Sequence, residues 1–409
     1  MLARLEQRAG PRRPSYEWIA VPEALGRIAS RPVTARRAVP PHDVSVMDGY
    51  ALRLRATEGR ALPLRARKVI GRSLPGGTSA HLPRVGFTTA VEVRTGATVP
   101  PGTNVVVRSE HARRTGALVR PHEAVFPGQN IARKGEDFRA GSRILEAGTR
   151  LRPWHVAALL ANGVARLRVV RMWTVGILAT GGEVVPGRHA RPGRDVIDTT
   201  KPLLIGLLSE LGIRAVDLGI VPDEDVTIAR AVSNGIGRCD VVITVGGSSV
   251  GERDRVRPAI NSLRGAGWVA RGIPLRPGST SSIALVRRRP VFVLAGPPVA
   301  ALAGFATLVE PYLRAGGLVT SPAPPFLRAR LTRKIVHPRG VREIARVRLR
   351  ARRGVWWVSG VERHAGGRLS SLTRADGLVV LDERRGDYAA GEAVRVRLLR
   401  DPLRPDAFG

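Results

Sequence analysis

Three short apolar runs, each followed at once by glycine, constrain the fold of this chain most strongly. They are Thr174–Thr180, Val241–Val245 and 291–295 (VFVLA). Runs of this length, rich in β-branched residues, are typical of strands buried on both faces of a parallel sheet. Helical patterns lie between and after them, at 201–211, 226–236 and 299–313. This alternation predicts a doubly wound α/β domain, whose ligands bind outside the carboxyl ends of the strands.

The loop after the second run concentrates residues that can bind a ligand. It contains Gly246, Gly247, Ser248, Ser249 and Gly251. Glycines let the backbone approach a ligand closely, and the serines add hydroxyl donors. Asp254 opens the next segment, where a carboxylate can cap a helix or hold a cation. With Glu183 after the first run, the loop predicts a site for an anionic ligand bridged by a metal. A strand–helix turn with a capping aspartate is the alternative, and these residues alone leave it open.

Composition excludes several classes of protein. The formal net charge is +34, from 67 basic and 33 acidic residues, and nearly all the basic ones are arginine. Such a field favours anionic partners, but the arginines are spread along the whole chain and aromatic residues make up only 4%. We therefore interpret most arginines as solvated faces and expect no specific nucleic-acid partner.

One cysteine, Cys239, cannot form a disulfide framework, and its position before a strand predicts a small core residue. No apolar run reaches the roughly 18 residues that a transmembrane helix needs, and the start of the chain lacks the apolar core of a signal peptide. The sequence therefore predicts a cytoplasmic protein without a membrane partner.

Turns and linkers rich in glycine and proline mark further boundaries along the 409 residues. Residues 1–14 are predicted as a loose lead-in, 21–29 as a short helix, and 153–162 as a helix ended by Gly163. Four domains are expected: a discontinuous helical and extended N-terminal domain, a β-rich insert, the α/β domain, and a small C-terminal domain resembling a β-barrel. Their predicted ranges are 1–42 with 131–169, 43–130, 170–319 and 320–409.

Two turns in the insert carry side chains that suit a ligand. Asp48-Gly49 is flanked by apolar residues and indicates either a plain hairpin or a carboxylate presented at a strand end. Thr95-Gly96 lies between strands, where the hydroxyl either donates to a phosphate or stabilises the turn. The sequence leaves both pairs of alternatives open.

Seven motifs recur in order along the chain. They are 45–51 (SVMDGYA), 95–96 (TG) with a Pro-Pro-Gly turn and Glu110, 135–137 (GED), 180–183 (TGGE), 197–199 (IDT), 218–223 (LGIVPD) and 246–254 (GGSSVGERD). Each motif is weak alone. In this order and spacing they resemble the molybdopterin molybdenumtransferase family, to which the C-terminal part of gephyrin belongs, over nearly the whole chain.

The resemblance implies the last step of molybdenum cofactor assembly. Adenylylated molybdopterin would be bound, its phosphoanhydride cleaved with release of AMP, and molybdate placed on the dithiolene sulfurs with the help of Mg²⁺. It also implies a homodimer in which the α/β domain of one subunit faces the β-rich insert of the other across the active-site cleft. Molybdoenzyme apoproteins and the molybdopterin adenylyltransferase are the protein partners that it suggests.

The resemblance also implies roles for individual residues. Glu183 and Asp254, at adjacent strand ends, are the candidates for holding Mg²⁺, because magnesium takes oxygen ligands and bridges phosphates. The implied catalytic residues are Asp48, Thr95, Asp137, Asp198 and Asp223. The implied substrate-binding residues are Gly246, Gly247, Ser248, Ser249, Gly251, Arg276 and Pro298.

Several positions depart from the family pattern. Its Lys-Pro-Gly-Lys-Pro stretch is replaced by Arg276-Pro-Gly-Ser279, and its Pro-Gly-Asn-Pro-Val loop has Pro297 in place of asparagine. Arg276 still carries a charge that binds anions, whereas Pro297 has neither an amide side chain nor a backbone N–H. Arg255, Thr200 and Gly182 also replace expected groups. The alternative function is therefore a catalytically degenerate paralogue that binds or delivers molybdenum cofactor without inserting the metal.

Overall fold

The computed structural model describes residues 1–10, 15–55, 64–76, 81–247, 254–316, 319, 321–363 and 368–400. The chain forms two compact units, one of Pro14–Arg171 and one that joins Met1–Arg13 to Met172–Gly409. The predicted division into four domains stays a prediction. Within the described residues, no helix is long and apolar enough to cross a membrane.

Residues 2–9 form a packed helix, α1 (Leu2–Ala9), so the predicted loose lead-in is wrong for this segment. Leu2, Leu5 and Ala9 recur at helical spacing, and Leu5 is fully buried in the core of the larger unit. The Ala9 carbonyl accepts a hydrogen bond from Arg288 Nε at 3.1 Å, which satisfies one group at the helix end.

Three short antiparallel pairs tie the two ends of the smaller unit together. They are β1 (Tyr16–Ala20) with β12 (Arg166–Val170), β2 (Val33–Thr34) with β11 (Arg143–Leu145), and β3 (Val44–Ser45) with β10 (Ile131–Ala132). Helix α2 (Pro153–Ala161) confirms the predicted helix, whereas the one predicted at 21–29 is only a 3₁₀ turn, Val21–Ala24. The chain between β3 and β10 is therefore inserted between two strands that pair with each other.

The inserted segment is β-rich, as predicted. Its strands are β4 (Gly49–Leu52), β5 (Arg67–Ser73), β6 (Thr89–Val93), β7 (Val105–Arg108), β8 (Ala112–Thr115) and β9 (Leu118–Pro121). They form one sheet with the order β7-β4-β6-β5-β9-β8. A 3₁₀ turn, Ser109–His111, leads from β7 into β8.

The larger unit contains the predicted parallel sheet. Its strands are β13 (Thr174–Thr180), β16 (Arg214–Val221), β17 (Val241–Val245), β18 (Ala266–Ala270), β20 (Ser282–Val286) and β21 (Arg289–Leu294). Strands β16, β13, β17 and β21 run parallel, and β20 and β18 extend the sheet antiparallel. The small strands β14 (Val184–Val185), β15 (Val196–Ile197) and β19 (Leu275–Arg276) and a 3₁₀ turn, Gly187–His189, lie outside it.

Helices cover both faces of this sheet, which confirms the doubly wound architecture. They are α3 (Thr200–Glu210), α4 (Asp225–Arg238), α5 (Val256–Asn261), α6 (Pro298–Gly304) and α7 (Glu310–Ala315), the last two joined by a π-helical segment, Phe305–Val309. Successive residues of β17 belong to opposite cores: Ile243 packs with Leu204, and Val242 packs with Ile228. Strands apolar on both faces need helices on both.

The C-terminal segment is a closed five-stranded barrel. Its strands are β22 (Phe326–Leu331), β23 (Arg342–Arg352), β24 (Val355–Glu362), β25 (Gly377–Leu381) and β26 (Ala393–Leu398), with α8 (Leu369–Arg374) between β24 and β25. Closure follows because β25 pairs with both β26 and β23. Strand β19 adds to β23 in parallel and so carries the 275–276 segment onto the barrel.

Candidate functional site

A cleft of about 290 Å³ opens at the carboxyl ends of β13, β17 and β21. Three of the predicted acids line it: Glu183, Asp198 and Asp223. Gly246, Gly247 and Pro298 line it as well. These residues come from loops after separate strands, and the sheet brings them together because parallel strands end at one edge.

The backbone of the glycine loop must pass close to the neighbouring strand. Gly246 and Gly247 have φ of 88° and 58°, in the region that favours glycine. A Cβ on Gly247 would lie 2.5 Å from Thr180 Oγ1 and 3.2 Å from Asp223 Oδ1. Glycine is therefore required here for both conformation and space. The predicted binding residues Ser248, Ser249 and Gly251 lie outside the described residues.

Two carboxylates influence each other in the cleft. Enclosure by the cleft wall, and then the charge of Glu183, raise the pKa of Asp223, whereas the Thr180 hydroxyl and Arg255 lower it by less. A raised pKa means that ionised Asp223 costs free energy while no cation is bound beside it. This electrostatic strain is typical of a site that holds a cation or shares a proton.

Asp198 is held by a buried lysine that the sequence analysis did not single out. Asp198 Oδ1 accepts the backbone N–H of Lys201 at 3.0 Å, and Lys201 Nζ lies 3.7 Å from Asp198 Oδ2. The same Nζ donates to Asp217 Oδ1 at 2.8 Å. The Lys201 side chain is only 9% exposed. The one available signal was an aspartate three residues before a lysine at a predicted helix start.

Asp254 is buried at the start of α5 and bonds within its own segment. Oδ1 accepts the backbone N–H of Arg257 at 3.1 Å, so the capping role that the sequence left open is present. Oδ2 lies 2.8 Å from Arg257 Nε but accepts no hydrogen bond from the described residues. Among those residues, Asp254 is not part of the cleft lining. Its role as a metal ligand stays a prediction.

The altered Gly-Pro loop is held against α3 by one of the substituted residues. The Thr200 hydroxyl donates to the Gly296 carbonyl at 2.6 Å. Pro297 caps α6 with an extended backbone, Pro298 begins the helix, and both line the cleft. Thr200 and Pro297 thus replace the expected amides with a fixed, more apolar wall.

Arg276 stands next to the barrel. Nη1 of Arg276 lies 3.9 Å from Oε2 of the buried Glu343, and the Arg276 side chain is 43% exposed. Burial alone would raise the pKa of Glu343, but hydrogen bonds and charge from Arg363, with Arg276, hold that pKa below its ordinary value. Arg276 therefore sits beside an ionised carboxylate and still offers donors to an anion.

In the smaller unit, Asp48 and Thr95 come together although they are distant in sequence. The Thr95 backbone N–H and hydroxyl donate to Asp48 Oδ1 at 2.7 and 2.9 Å, and Arg94 Nη1 donates to Oδ2 at 2.8 Å. These bonds lower the pKa of Asp48 to about 2. Strands β3 and β4 pair with other strands, so the 48–49 turn is not a hairpin. Arg94 was not predicted as a partner of Asp48, because lone surface arginines are common in this chain.

Asp137 remains exposed, and its backbone N–H donates to the Val39 carbonyl at 3.1 Å. Two residues close to it in sequence bond to a different acid, Asp43. The Asp43 carboxylate accepts hydrogen bonds from Arg133 Nη1 at 2.7 Å and from the Lys134 backbone N–H at 2.9 Å. Asp43 thus fixes the loop that presents Asp137. The sequence carried no signal for this pairing, because it joins residues on two paired segments.

Family models match the chain in three consecutive parts. Residues 1–163 match the MoeA N-terminal region (domain I and II), residues 176–315 match a probable molybdopterin binding domain, and residues 328–399 match the MoeA C-terminal region (domain IV). In chain order, the three matched ranges correspond to the smaller unit with its inserted sheet, the parallel sheet, and the C-terminal barrel.

Individual relatives are similar over nearly their whole length. The molybdopterin molybdenumtransferase of Haemophilus influenzae is 30% identical over 391 residues, 93% of each chain. That of Bacillus subtilis is 30% identical over 395 residues, covering 94% of this chain and 90% of the relative. A crystal structure of the molybdopterin biosynthesis MoeA protein from Pyrococcus horikoshii OT3 superposes with a TM-score of 0.70 at 26% identity, covering 97% of this chain and 98% of that one.

Proposed function

Because this chain belongs to the molybdopterin molybdenumtransferase family, we propose that it is an enzyme of molybdenum cofactor biosynthesis that transfers molybdenum to molybdopterin. The relatives at 30% identity carry that activity in their names. We propose further that the substrates are molybdate and adenylylated molybdopterin, and that AMP is released.

The observation that carries this proposal is the cleft with Glu183 and Asp223 at the glycine loop. Tightly turned glycines at the carboxyl ends of parallel strands allow a phosphorylated ligand to approach the backbone. The pterin would lie against the apolar wall of Pro297 and Pro298. Arg276 would supply a fixed positive charge to molybdate or phosphate oxygens.

The donor set of the cleft fits Mg²⁺. Among the described residues, no three His, Cys, Asp or Glu side chains lie close enough to hold a metal ion by themselves. Magnesium is usually bound by one or two carboxylates, with water and substrate phosphates completing its shell. Glu183 and Asp223 would hold it, and the ion would neutralise charge on the phosphoanhydride oxygens. Asp254 stays a predicted ligand, although among the described residues it is not part of the cleft lining and its Oδ2 lies 2.8 Å from Arg257 Nε.

The remaining acids would act from the other side of the substrate. We propose a homodimer in which Asp48, Thr95 and Asp137 of one subunit face the cleft of its partner. Thr95 would orient Asp48 for a proton or a water molecule. Asp198, positioned by Lys201, would keep the cleft rim negative and orient the cation or water.

The test is a reaction with purified components. The chain is incubated with adenylylated molybdopterin, molybdate and Mg²⁺, and AMP release is measured alongside reconstitution of a molybdenum-dependent apoenzyme. AMP release that yields active apoenzyme supports the proposal. Tight binding of the adenylylated pterin without AMP release would instead identify the degenerate paralogue.

A further inference from the structure

The outer surface of the C-terminal barrel carries rows of exposed arginines. Along β22 and β26 burial alternates, so that every second residue points outward, and the second half of β23 presents three outward arginines. The exposed arginines on these strands are Arg328, Arg330, Arg348, Arg350, Arg352 and Arg395, together called the arginine face. The intervening residues, such as Ala329, Leu349 and Val394, fill the barrel core.

The strand register places a tryptophan between two of these arginines. Trp357 on β24 is paired with Arg330 on β22 and with Arg350 on β23. Neighbouring strands are about 4.8 Å apart, so the three side chains form one row across the sheet. Trp357 is partly exposed, whereas its neighbour Trp356 packs against the barrel core. The row therefore presents an aromatic side chain flanked by two guanidinium groups.

Arginines lie directly beside one another on the arginine face. Arg328 and Arg395 are directly opposite each other on β22 and β26. Like charges directly opposite each other destabilise a sheet. No ion pair within the described residues involves any of the six arginines, whereas the adjacent Arg397 is neutralised by Glu310. The face therefore has unbalanced charge available for an anionic partner.

A second aromatic residue extends the pattern. Phe326 is 50% exposed at the start of β22, and the guanidinium carbon of Arg395 lies 4.5 Å from its ring centre. Guanidinium groups bind phosphates through paired donors, and exposed aromatic rings on a sheet stack with bases. An acidic polypeptide would match the charge but would leave Trp357 without a stacking partner.

We propose that the arginine face binds single-stranded nucleic acid without sequence specificity, with phosphates on the guanidinium groups and a base stacked on Trp357. Repeats of about 6.7 Å along a strand and about 4.8 Å between strands let a flexible backbone cross several arginines. A single strand is the form we propose, because its bases are free to stack on an exposed ring, whereas the bases of a duplex are already stacked and paired with one another. This activity is separate from the cleft at the carboxyl ends of β13, β17 and β21.

The experiment measures fluorescence anisotropy of a labelled oligothymidylate of about fifteen nucleotides with the full chain, over about 50–250 mM salt. The variant Arg330→Gln/Arg350→Gln removes two charges from the row with Trp357. The matched control, Arg113→Gln/Arg120→Gln, removes two charges from another exposed cross-strand pair, on β8 and β9. Thermal melting monitored by circular dichroism verifies that each variant is folded.

We expect the face variant to weaken binding about tenfold and to lower the slope of log K against log salt by about 1.4, near 0.7 for each phosphate that is no longer neutralised. The control should change affinity less than about twofold, and Trp357→Leu should weaken binding about fivefold or more. Equal losses in the two double variants would reduce the effect to net charge and overturn the proposal. So would displacement of the oligonucleotide by polyglutamate with no effect of Trp357→Leu, which would indicate an acidic protein partner.

Discussion

Thr95 donates two hydrogen bonds to a single oxygen of Asp48, from its backbone N–H at 2.7 Å and from its hydroxyl at 2.9 Å. The second oxygen accepts from Arg94. The carboxylate is thereby fixed in one orientation although it is about half exposed. This fixed orientation is what the proposed role of Asp48 toward a ligand requires.

We expect Thr95→Val to reduce molybdenum transfer by about tenfold or more, because it removes the hydroxyl donor and leaves Asp48 less constrained. Thr95→Ser keeps the hydroxyl and should retain activity within about twofold. AMP release under saturating substrate measures both variants. A Val variant as active as the Ser variant would show that the hydroxyl serves only the turn.

The Asp48 carboxylate should titrate with a pKa of about 2 rather than near its usual 3.8. A depressed folded-state pKa contributes stability above the ordinary value, and this contribution is lost as pH falls through about 2. Acid inactivation between about pH 4 and 6 should therefore not follow Asp48. Carbon-detected NMR of the labelled carboxylate measures the midpoint, and a midpoint near 3.8 would show that the Thr95 and Arg94 bonds do not persist in solution.

Asp223→Asn should stabilise the chain at pH 7 in the absence of divalent cations. The folded-state pKa of Asp223 is raised, so ionising it in the folded state is unfavourable, and this penalty grows as pH rises above the ordinary value of 3.8. Mg²⁺ should raise the melting temperature of the parent more than that of the variant. Thermal melts with and without Mg²⁺ measure this.

Glu224→Gln, next along the chain and bonded only to the Thr227 hydroxyl among described side chains, is the matched control for Asp223. It should leave the Mg²⁺-dependent shift unchanged. An equal Mg²⁺ response in parent and Asp223→Asn would remove Asp223 from the cation site.

Lys201→Met should lower the free energy of unfolding by about 1–3 kcal/mol, because it leaves Asp198 without its buried cationic neighbour. Transfer activity should also fall, since Asp198 loses a positioning contact. Urea unfolding and AMP release measure the two effects. Lys334→Met removes an exposed pair with Asp387 and should cost less than about 1 kcal/mol. Similar losses in both variants would contradict a special role for Lys201.

Gly247→Ala should destabilise the chain and weaken ligand binding, by about 1–3 kcal/mol in stability. The new Cβ would lie 2.5 Å from Thr180 Oγ1 and 2.9 Å from Val256 Cγ2 at positive φ. Gly219→Ala is the matched control, because Gly219 also has positive φ but open space around its Cβ. The Gly219→Ala variant therefore measures only the free-energy cost of a side chain at positive φ, about 1 kcal/mol. Urea unfolding separates the two costs, and equal values would show that the Gly247 backbone can move away from β13.

Local pattern was sufficient for the elements whose burial is continuous or alternates strictly. Strands Thr174–Thr180 and Val241–Val245 were predicted to the residue, because their runs are apolar on both faces. The short N-terminal helix was missed, since the buried stripe of Leu2, Leu5 and Ala9 is narrow and surrounded by arginine. Packing against the sheet, rather than local preference, stabilises it.

The sequence by itself determined which acids and glycines this protein carries and that a parallel sheet would gather some of them at one edge. Tertiary structure alone decided which partner each acid has: Glu183 for Asp223, Lys201 for Asp198, Arg257 for Asp254, and Thr95 with Arg94 for Asp48. A carboxylate's role depends on charges and donors within a few ångströms, and many of those come from distant segments. Spacing along the chain fixes strand and helix, but only the folded packing sets those distances.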